Sequence, residues 1–304
     1  MSPAAMGGFA ERAWTLIVNP SSGGGRARQL LPRIERALDA RRQVFRVEPT
    51  RSLEHGIDLA FEAIDAREIP VVVSGDGLLG AIGGAIAGTG ATLGLIPAGR
   101  GNDLARGLGI PTDPVAAVEC LIAGHTRPID VGEANGQRFL GIASVGFDSD
   151  ANRIANEARF LKGTPVYAWA ALRALIGWKP ARFTLREGER RSRFTGYTVA
   201  VANNGFYGGG MNIAPGADPS DGLLDVVTIG EVGRLRFLLH LPRVFKGTHV
   251  EDEEVVTVRR TRSIEISASR PFTMYADGDP LTELPATVRI LPGELELIVP
   301  EETA

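Results

Sequence analysis

The chain has few of the residues that form disulfides or bind transition metals. It contains one cysteine in 304 residues, Cys120, which excludes an intrachain disulfide. Its four histidines, His55, His125, His240 and His249, are scattered along the chain. Without cysteine partners they match no zinc-type spacing. We therefore expect no transition-metal site.

The chain also lacks a long apolar run and a strong net charge. Its most apolar stretch, residues 166–178, is shorter than the roughly 20 residues that span a bilayer and is interrupted by Arg173. Residues 1–11 have neither the basic start nor the apolar core of a signal peptide. A net charge of −3 argues against a general nucleic-acid binder. These absences predict a cytoplasmic protein without a membrane span.

What is present is the composition of a globular protein, with 44% hydrophobic and 23% charged residues. The length favours two domains. The charge is uneven, because residues 153–193 contain ten basic and three acidic residues, together with several aromatic ones. This stretch suits an anionic lipid surface. A solvated helix face with its aromatic side chains in the core is the alternative.

The first 130 residues alternate β-branched runs with helical patterns, which predicts βαβ units and a parallel sheet. Strands are predicted at residues 14–18, 43–47, 70–73 and 91–96. Beyond Asp130 the patterns predict mostly strands, among them 138–143, 182–186, 197–202, 263–267 and 287–291. Helices are predicted there only over residues 150–176 and 234–245.

Three glycine-rich turns follow predicted strands, at residues 19–25, 74–77 and 97–103. Each would point backbone N–H groups towards the carboxyl edge of a parallel sheet, where open α/β folds bind anions such as nucleotide phosphates. One such turn is weak evidence, because glycine also allows a helix to pack closely on a strand. Three in successive units favour a phosphate site.

Residues 75–80 match the dinucleotide pattern G-x-G-x-x-G, so an oxidoreductase has to be considered. The match follows the third strand rather than the first. Asp76 would repel a pyrophosphate unless a cation bridges the two, which favours Mg²⁺ and a nucleoside triphosphate. Arg100 could instead be the partner of an NADP ribose phosphate, so that alternative stays open.

Several motifs occur in the order seen in the diacylglycerol kinase catalytic-domain family, which includes bacterial lipid kinases, sphingosine kinases and ceramide kinases. The chain resembles this family from about residue 14 to about residue 300, through residues 19–25, 74–77, 97–106, 208–211, 221–225 and 277–279. The resemblance implies an α/β plus mostly-β fold. A Rossmann-like ATP-binding domain, similar to NAD kinases and phosphofructokinases, would cover residues 12–131, with residues 292–304 returning to it. A β-sandwich lipid-substrate domain would cover residues 132–291, with the active site in the cleft between the domains.

The resemblance also implies roles for individual residues. The carboxylate of Asp279 would accept the proton of the lipid hydroxyl, at a position where the family has glutamate, and Asp76 and Asp103 would organise Mg²⁺. The residues implied to bind ATP are Asn19, Thr50, Ser74, Gly75, Asp76, Gly77, Gly99, Arg100 and Asn102. Those implied to bind a second, structural metal are Asp218, Asp221 and the carbonyl of Leu223.

Each assignment has a purely structural alternative. Asp279 lies in a good turn sequence. Asp103 could be a charge at a helix N-terminus, and Asn102 the helix cap.

The phosphate loops depart from the family pattern at several positions. Ser74 stands where the family has its first glycine, Leu78 where it has the threonine after Gly-Asp-Gly, and Arg100 where it has the threonine after Gly99. Residues 80–81 replace the family's Asn-Glu pair. Either Arg100 restores phosphate binding as a bidentate cation, or the loop has lost function. All three carboxylates that the chemistry needs are present, which favours activity.

The sequence therefore predicts an ATP- and Mg²⁺-dependent lipid kinase that converts diacylglycerol to phosphatidic acid. The alternatives are a non-catalytic nucleotide- or lipid-binding relative, and an NAD kinase-like enzyme or NADP oxidoreductase with a soluble substrate. The expected partners are a lipid at the membrane surface, through transient peripheral contact with its inner face, and a second copy in a homodimer. Residues 166–178 are the candidate lip of the acyl-chain site, with Arg159, Lys162 and Lys179 in a docking surface.

Overall fold

The structure is a computed structural model that describes residues 12–147, 149 and 178–301. The chain folds into two compact units, unit 1 (Met1–Ile129 and Gly293–Ala304) and unit 2 (Asp130–Pro292). The predicted helix at 150–176, Arg159 and Lys162 lie outside the described residues. The predicted functions of the two domains, and their predicted boundaries, stay predictions.

The described part of unit 1 contains four βα repeats. Its strands are β1 (Trp14–Val18), β2 (Phe45–Pro49), β3 (Ile69–Ser74) and β4 (Thr92–Pro97). Its helices are α1 (Arg26–Ala40), α2 (Leu53–Asp65), α3 (Asp76–Ile86), α4 (Asp103–Gly107) and α5 (Pro114–Ala123). Strand β5 (Thr126–Ala134) then leads into unit 2, and a final strand, β17 (Ala286–Ile298), ends in unit 1.

The sheet of unit 1 is parallel, with strand order β4-β3-β1-β2 and the end of β17 beside β4. Strands β1 and β3 are buried along their whole length, which is why they read as continuous apolar runs rather than alternating patterns. From β1 the chain adds β2 on one side and β3 on the other. The β1–β3 boundary is therefore the topological switch point, outside whose carboxyl ends such sheets bind ligands.

The predicted strands and helices of unit 1 are present, although their ends are shifted. One helix of the structure was not predicted. The second strand was predicted two residues early, because Gln43 does not pair: its buried amide donates to the carbonyls of Arg12 and Val44. Helix α5 was not predicted, although Asp113 caps it by accepting from the N–H groups of Val115 and Ala116.

Unit 2 consists mostly of antiparallel strands. Those before its helix are β6 (Gln137–Phe139), β7 (Ile142–Gly146), β8 (Ala181–Glu187), β9 (Arg190–Ala202), β10 (Phe206–Tyr207), β11 (Met211–Asn212) and β12 (Leu224–Gly230). Helix α6 (Arg234–Lys246) is followed by β13 (Val256–Thr261), β14 (Ser263–Ala268), β15 (Thr273–Ala276) and β16 (Asp279–Glu283).

Most of these strands form a sheet in the order β16-β15-β7-β9-β8-β14-β17, with β12 bridging β9 and β13, while β10 and β11 pair with each other in a separate two-stranded sheet. Phe147, Trp178 and Phe237 belong to the aromatic core of the larger sheet. Trp178 is only 4% exposed, so the prediction that it forms part of an apolar lip is wrong. The rest of that predicted lip, residues 166–177, lies outside the described residues.

Three strand predictions need correction. The predicted strand 287–291 is only part of β17, which continues to Ile298 because its end pairs with β4. The segment 138–143 divides into β6 and β7, because the N–H groups of Leu140 and Gly141 donate to the Asp277 carboxylate instead of to a neighbouring strand. Strand β9 is longer than predicted and begins at Arg190, since its first residues pair with β8 in a hairpin. Within the described part of the chain, no helix is long and apolar enough to span a membrane.

Candidate functional site

Three loops of unit 1 leave the carboxyl ends of neighbouring strands at the switch point. We name them the β1 loop (residues 19–25), the β3 loop (residues 74–77) and the β4 loop (residues 97–103). The predicted nucleotide residues, apart from Thr50, all lie in these loops. Thr50 follows β2 at the same edge, where its N–H donates to the carbonyl of Val18.

The β1 loop turns sharply on consecutive glycines. Asn19 accepts a hydrogen bond from the N–H of Ser21 (3.0 Å), which starts the turn. Gly23, Gly24 and Gly25 follow with φ of 60°, 72° and 97°, a left-handed region in which glycine is unstrained. This turn ends at α1, whose first N–H groups have no helical partner and are therefore suited to an anion.

The β3 and β4 loops touch through their main chains. A Cβ atom placed on Gly75 would lie 2.9 Å from the Cα of Gly99, and 3.7 Å from the Oγ of Ser22. No side chain fits between the two loops at either glycine. Ser22 also donates to the carbonyl of Ala98 (3.4 Å), so the β1 and β4 loops are joined as well.

Asn102 shapes the β4 loop from within. Its φ is 53°, its Oδ1 accepts from the N–H of Gly99 (2.8 Å) and its Nδ2 donates to the carbonyl of Gly99 (3.3 Å). It stands at the N-cap position of α4, but its side chain does not cap the helix. Asp76 accepts from the N–H of Leu104 (3.1 Å) across the loops instead. The structural alternative thus holds for the position of Asn102 at the N-cap, but its side chain holds Gly99 and does not cap the helix.

Asp76 and Asp103 border one space beside Gly101. A Cβ on Gly101 would lie 2.9 Å from Oδ2 of Asp103 and 3.1 Å from Oδ2 of Asp76, so the glycine leaves room that a side chain would fill. Mg²⁺ typically uses one or two protein carboxylates and completes its shell with water and substrate phosphates. The pair therefore fits Mg²⁺, although the described residues contain no group of three or more candidate metal-ligating side chains.

Two residues that depart from the family pattern have clear positions. Arg100 is exposed, and its Nη2 lies 3.7 Å from the point where a Cβ on Gly24 would be, so its guanidinium covers the β1 loop. Leu78 is buried, and its Cδ1 occupies the space beside Gly56, next to Thr50. Leu78 thus packs α3 onto α2. Nothing in the structure explains the residues at positions 80 and 81.

Asp279 lies in unit 2, at the first position of β16. It pairs with Ala276 across a two-residue turn formed by Asp277 (φ 52°) and Gly278 (φ 97°), the geometry that Asp-Gly favours in hairpins. Asp279 is exposed. Desolvation by the surrounding protein nevertheless raises its pKa above that of an ordinary aspartate. A raised pKa is typical of a group that exchanges protons.

Asp277 holds this turn in place, and the sequence analysis gave it no role. Its carboxylate accepts from the N–H groups of Leu140 (3.1 Å), Gly141 (3.1 Å) and Ile142 (3.3 Å). The hairpin that presents Asp279 is therefore attached to the β6–β7 connection. Short-range patterns could not show this contact, because the partners are more than 130 residues apart in sequence.

Replacing Asp277 with alanine should destabilise unit 2. Three backbone N–H groups lose a charged acceptor, and hydrogen bonds to charged groups contribute about 1.5–3 kcal/mol each, so we expect the free energy of unfolding to fall by at least about 2 kcal/mol. Chemical denaturation measures this change. Glu253→Ala, at an exposed position, is the control and should change it by less than about 0.5 kcal/mol. Equal stability of the two variants would contradict the anchoring role.

The second predicted metal site is a loop that also holds an arginine. Asp218 and Asp221 accept from the N–H groups of Ser220 and Leu223, each at 3.0 Å. The other oxygen of Asp221 lies 3.2 Å from Arg260.

That arginine also contacts Asp225, whose burial raises its pKa and whose contact with Arg260 partly offsets the rise. Arg260 thus already supplies positive charge at Asp221. The second metal stays a prediction, and no step below depends on it.

Comparisons with known proteins identify the two halves of the chain. Residues 13–134 match the model of the diacylglycerol kinase catalytic domain, and residues 141–299 match the YegS C-terminal NAD kinase beta sandwich-like domain. A diacylglycerol kinase of Mycobacterium tuberculosis is 38% identical over 250 residues, covering 80% of each chain. A Pseudomonas fluorescens protein described as "Probable lipid kinase YegS-like" is 31% identical over 283 residues. The match covers 89% of this chain and 91% of that protein.

A solved structure shares the fold. The crystal structure of a diacylglycerol kinase from Bacillus anthracis superposes with a TM-score of 0.73 at 22% identity, covering 95% of this chain and 97% of that one. The predicted class, a Rossmann-like α/β half followed by a β-sandwich-like half, is confirmed. The chain belongs to the diacylglycerol kinase catalytic-domain family, with a YegS-type C-terminal domain, and is a phosphotransferase that acts on an alcohol.

Proposed function

We propose that the chain transfers the γ-phosphate of ATP, with Mg²⁺, to the hydroxyl of diacylglycerol and so forms phosphatidic acid. The observation that carries this proposal is the group of joined loops at the switch point of unit 1. There, main-chain contact between Gly75 and Gly99 stands next to two carboxylates that border one space. Phosphoryl transfer depends mainly on such positioning and on charge neutralisation, because little covalent work falls to the protein.

The chain's own groups perform most of the binding. The backbone N–H groups of the β3 loop and of the first turn of α1, at the end of the β1 loop, bind phosphate oxygens, and the guanidinium of Arg100 adds a bidentate cation above the β1 loop. This arginine supplies the phosphate contact for which the family uses a threonine. Asn102 acts indirectly, since both ends of its amide fix Gly99.

Asp76 and Asp103 would hold Mg²⁺ at the space beside Gly101. When bound, the ion neutralises the negative charge on the transferring phosphate. One oxygen of the Asp76 carboxylate accepts the N–H of Leu104, which holds the carboxylate in place. The other oxygen faces the space beside Gly101.

Asp279 accepts the proton of the lipid hydroxyl as the phosphate is transferred. Its pKa, which desolvation raises, makes it a better base than an ordinary aspartate. Asp277 is a positioning residue for this carboxylate, because it anchors the turn from which β16 begins.

We propose unit 1 as the ATP-binding domain and unit 2 as the lipid-substrate domain. The substrate resides in a bilayer, so the protein works at the inner face of the membrane through transient peripheral contact, while otherwise cytoplasmic. Homodimerisation is part of the same proposal and rests on the resemblance alone.

A magnesium titration of Asp76→Asn tests this function. We expect wild-type protein to form labelled phosphatidic acid from γ-labelled ATP and diacylglycerol in detergent micelles only when Mg²⁺ is present. The variant loses one of two carboxylate ligands, so its half-saturating Mg²⁺ concentration should rise by about tenfold or more.

Asp58→Asn, at an exposed position of α2, is the matched control and should behave as wild type. Transfer that is independent of Mg²⁺, or an unchanged Mg²⁺ requirement in Asp76→Asn, would contradict the proposal.

A further inference from the structure

Unit 2 carries a groove on one face of its sheet, across β9, β8 and β14. The groove has a volume of about 540 Å³. We call it the arginine groove. Its charged and hydroxyl-bearing side chains include those of Arg182, Thr184, Arg191, Arg193, Thr195 and Ser267.

The strand register explains why these side chains share one face. Arg182 is opposite Thr195 and Thr184 is opposite Arg193 on β9, while Thr184 is opposite Ser267 on β14. Cross-strand partners project to the same side of a sheet. The residues between them, Phe183 and Leu185, are buried in the core on the other side. The groove therefore follows from a regular alternation of polar and apolar residues, and every charge that lines it is positive.

The three arginines of the groove lack acidic partners within the described part of the chain. Among the described residues, no carboxylate lies within ion-pair distance of Arg182, Arg191 or Arg193, and no acidic residue lines the groove. Arginines beside them do have partners: Arg186 lies 3.7 Å from Glu265, and Arg259 lies 3.3 Å from Glu187. Three like charges on one sheet face repel one another, so an anion that enters the groove relieves this repulsion.

The chemistry of the groove selects a phosphate group. Guanidinium groups bind phosphate oxygens in a bidentate manner, and the hydroxyls of Thr184 and Ser267 can donate to further oxygens. A second copy packed groove to groove across a two-fold axis is a poor occupant, because the same three positive charges would face one another. A phospholipid headgroup suits a groove whose arginines are exposed on an open sheet face.

We propose that the arginine groove binds the phosphate headgroup of an anionic membrane phospholipid, separately from the ATP phosphates bound in unit 1. This inference rests on the proposed function, which brings the protein to a lipid surface. Bound headgroups would hold the enzyme where its acceptor is found, and phosphatidic acid, the proposed product, is itself such a lipid.

Vesicle sedimentation tests the groove without any turnover. We expect wild-type protein to bind phosphatidylcholine vesicles that contain phosphatidic acid, and not vesicles of phosphatidylcholine alone. The triple variant Arg182→Gln, Arg191→Gln, Arg193→Gln should bind about 100-fold more weakly, since each basic side chain near an anionic surface contributes about a factor of five. Equal binding by the triple variant and wild type would overturn the proposal.

The matched control removes three exposed arginines elsewhere: Arg36→Gln, Arg42→Gln, Arg262→Gln. It should bind within about threefold of wild type, and a loss as large as that of the groove variant would show non-specific charge attraction and overturn the proposal. Should the triple variant fail to fold, Arg193→Gln alone should still weaken binding about fivefold. An unchanged affinity of that variant would also overturn the proposal.

Two further measurements complete the test. The first distinguishes a lipid headgroup from a soluble phosphate, and the second distinguishes a failure of the groove proposal from a failure of the proposed function. Displacement of the protein from vesicles by equimolar glycerol 3-phosphate would show a site for soluble phosphates and overturn the lipid assignment; no displacement is expected. Transfer to diacylglycerol in non-ionic micelles should be unaffected in the triple variant. Absence of transfer in wild type would contradict the proposed function while leaving the vesicle comparison intact.

Discussion

Asp279→Asn should bind ATP with the wild-type affinity and lose most of the phosphate transfer. Asparagine keeps the shape of the side chain but cannot accept the hydroxyl proton, and a general base contributes about 10²- to 10⁴-fold to a rate. Calorimetry measures the ATP affinity, and single-turnover transfer of labelled phosphate measures the rate. Glu283→Gln, at the other end of the exposed strand β16, is the control and should keep the full rate.

The pH dependence separates proton acceptance from a structural role of Asp279. A base must be deprotonated, so transfer falls as the pH drops through its pKa, which desolvation raises above the ordinary aspartate value of 3.8. The acidic limb of the profile should therefore lie at higher pH than for an unperturbed aspartate. Asp279→Glu, which restores the family residue, should keep this limb. Near-normal transfer in Asp279→Asn would remove Asp279 from the mechanism.

Gly99→Ala should disrupt the ATP site without touching any charged group. A side chain at position 99 runs into the main chain of Gly75, and its Cβ would lie 2.9 Å from Oδ1 of Asn102. Both loops must move, and a displacement near 1 Å can cost about 100-fold. We expect ATP affinity to fall by about that factor, and the free energy of unfolding to fall by about 1–3 kcal/mol.

The control for this variant is Gly233→Ala, before α6. That glycine has a φ of −58° and no described atom within 4 Å of its Cβ position, so alanine fits there; because alanine is a poorer N-cap than glycine, the unfolding free energy should fall by about 0.5–1 kcal/mol while the ATP affinity stays that of wild type. ATP titration and chemical denaturation measure both variants. Gly99→Ala with wild-type ATP affinity would show that the contact of the two loops is not part of the phosphate site.

The sequence carried enough local information to predict unit 1. The buried strands are continuous apolar runs, and each is followed by a turn whose glycines are required by positive φ or by close main-chain contact. The error in the bounds of the second strand arose from strand pairing, which local patterns do not show. The end of β2 is fixed by pairing with β1, so the predicted strand around Gln43 was two residues too early.

The candidate site was only partly accessible to sequence reasoning. The shared space of Asp76 and Asp103 follows from two loops on neighbouring strands, which the sheet order brings together. The anchoring of the Asp279 turn by Asp277 depends on partners in the β6–β7 connection and at the first residue of β7, and the contact of Asp221 with Arg260 joins residues 39 positions apart. Tertiary structure creates such contacts, and no residue spacing in the sequence predicts them.

The most direct test of the central claim is a competition between acceptors. Wild-type protein would receive γ-labelled ATP and Mg²⁺ with diacylglycerol, ceramide, sphingosine and phosphatidylglycerol in mixed micelles and NAD in solution, and the products would be separated by chromatography. We predict that the label appears in phosphatidic acid. Label in NADP alone, or no labelled product while ATP still binds, would contradict the claim that this chain is a diacylglycerol kinase.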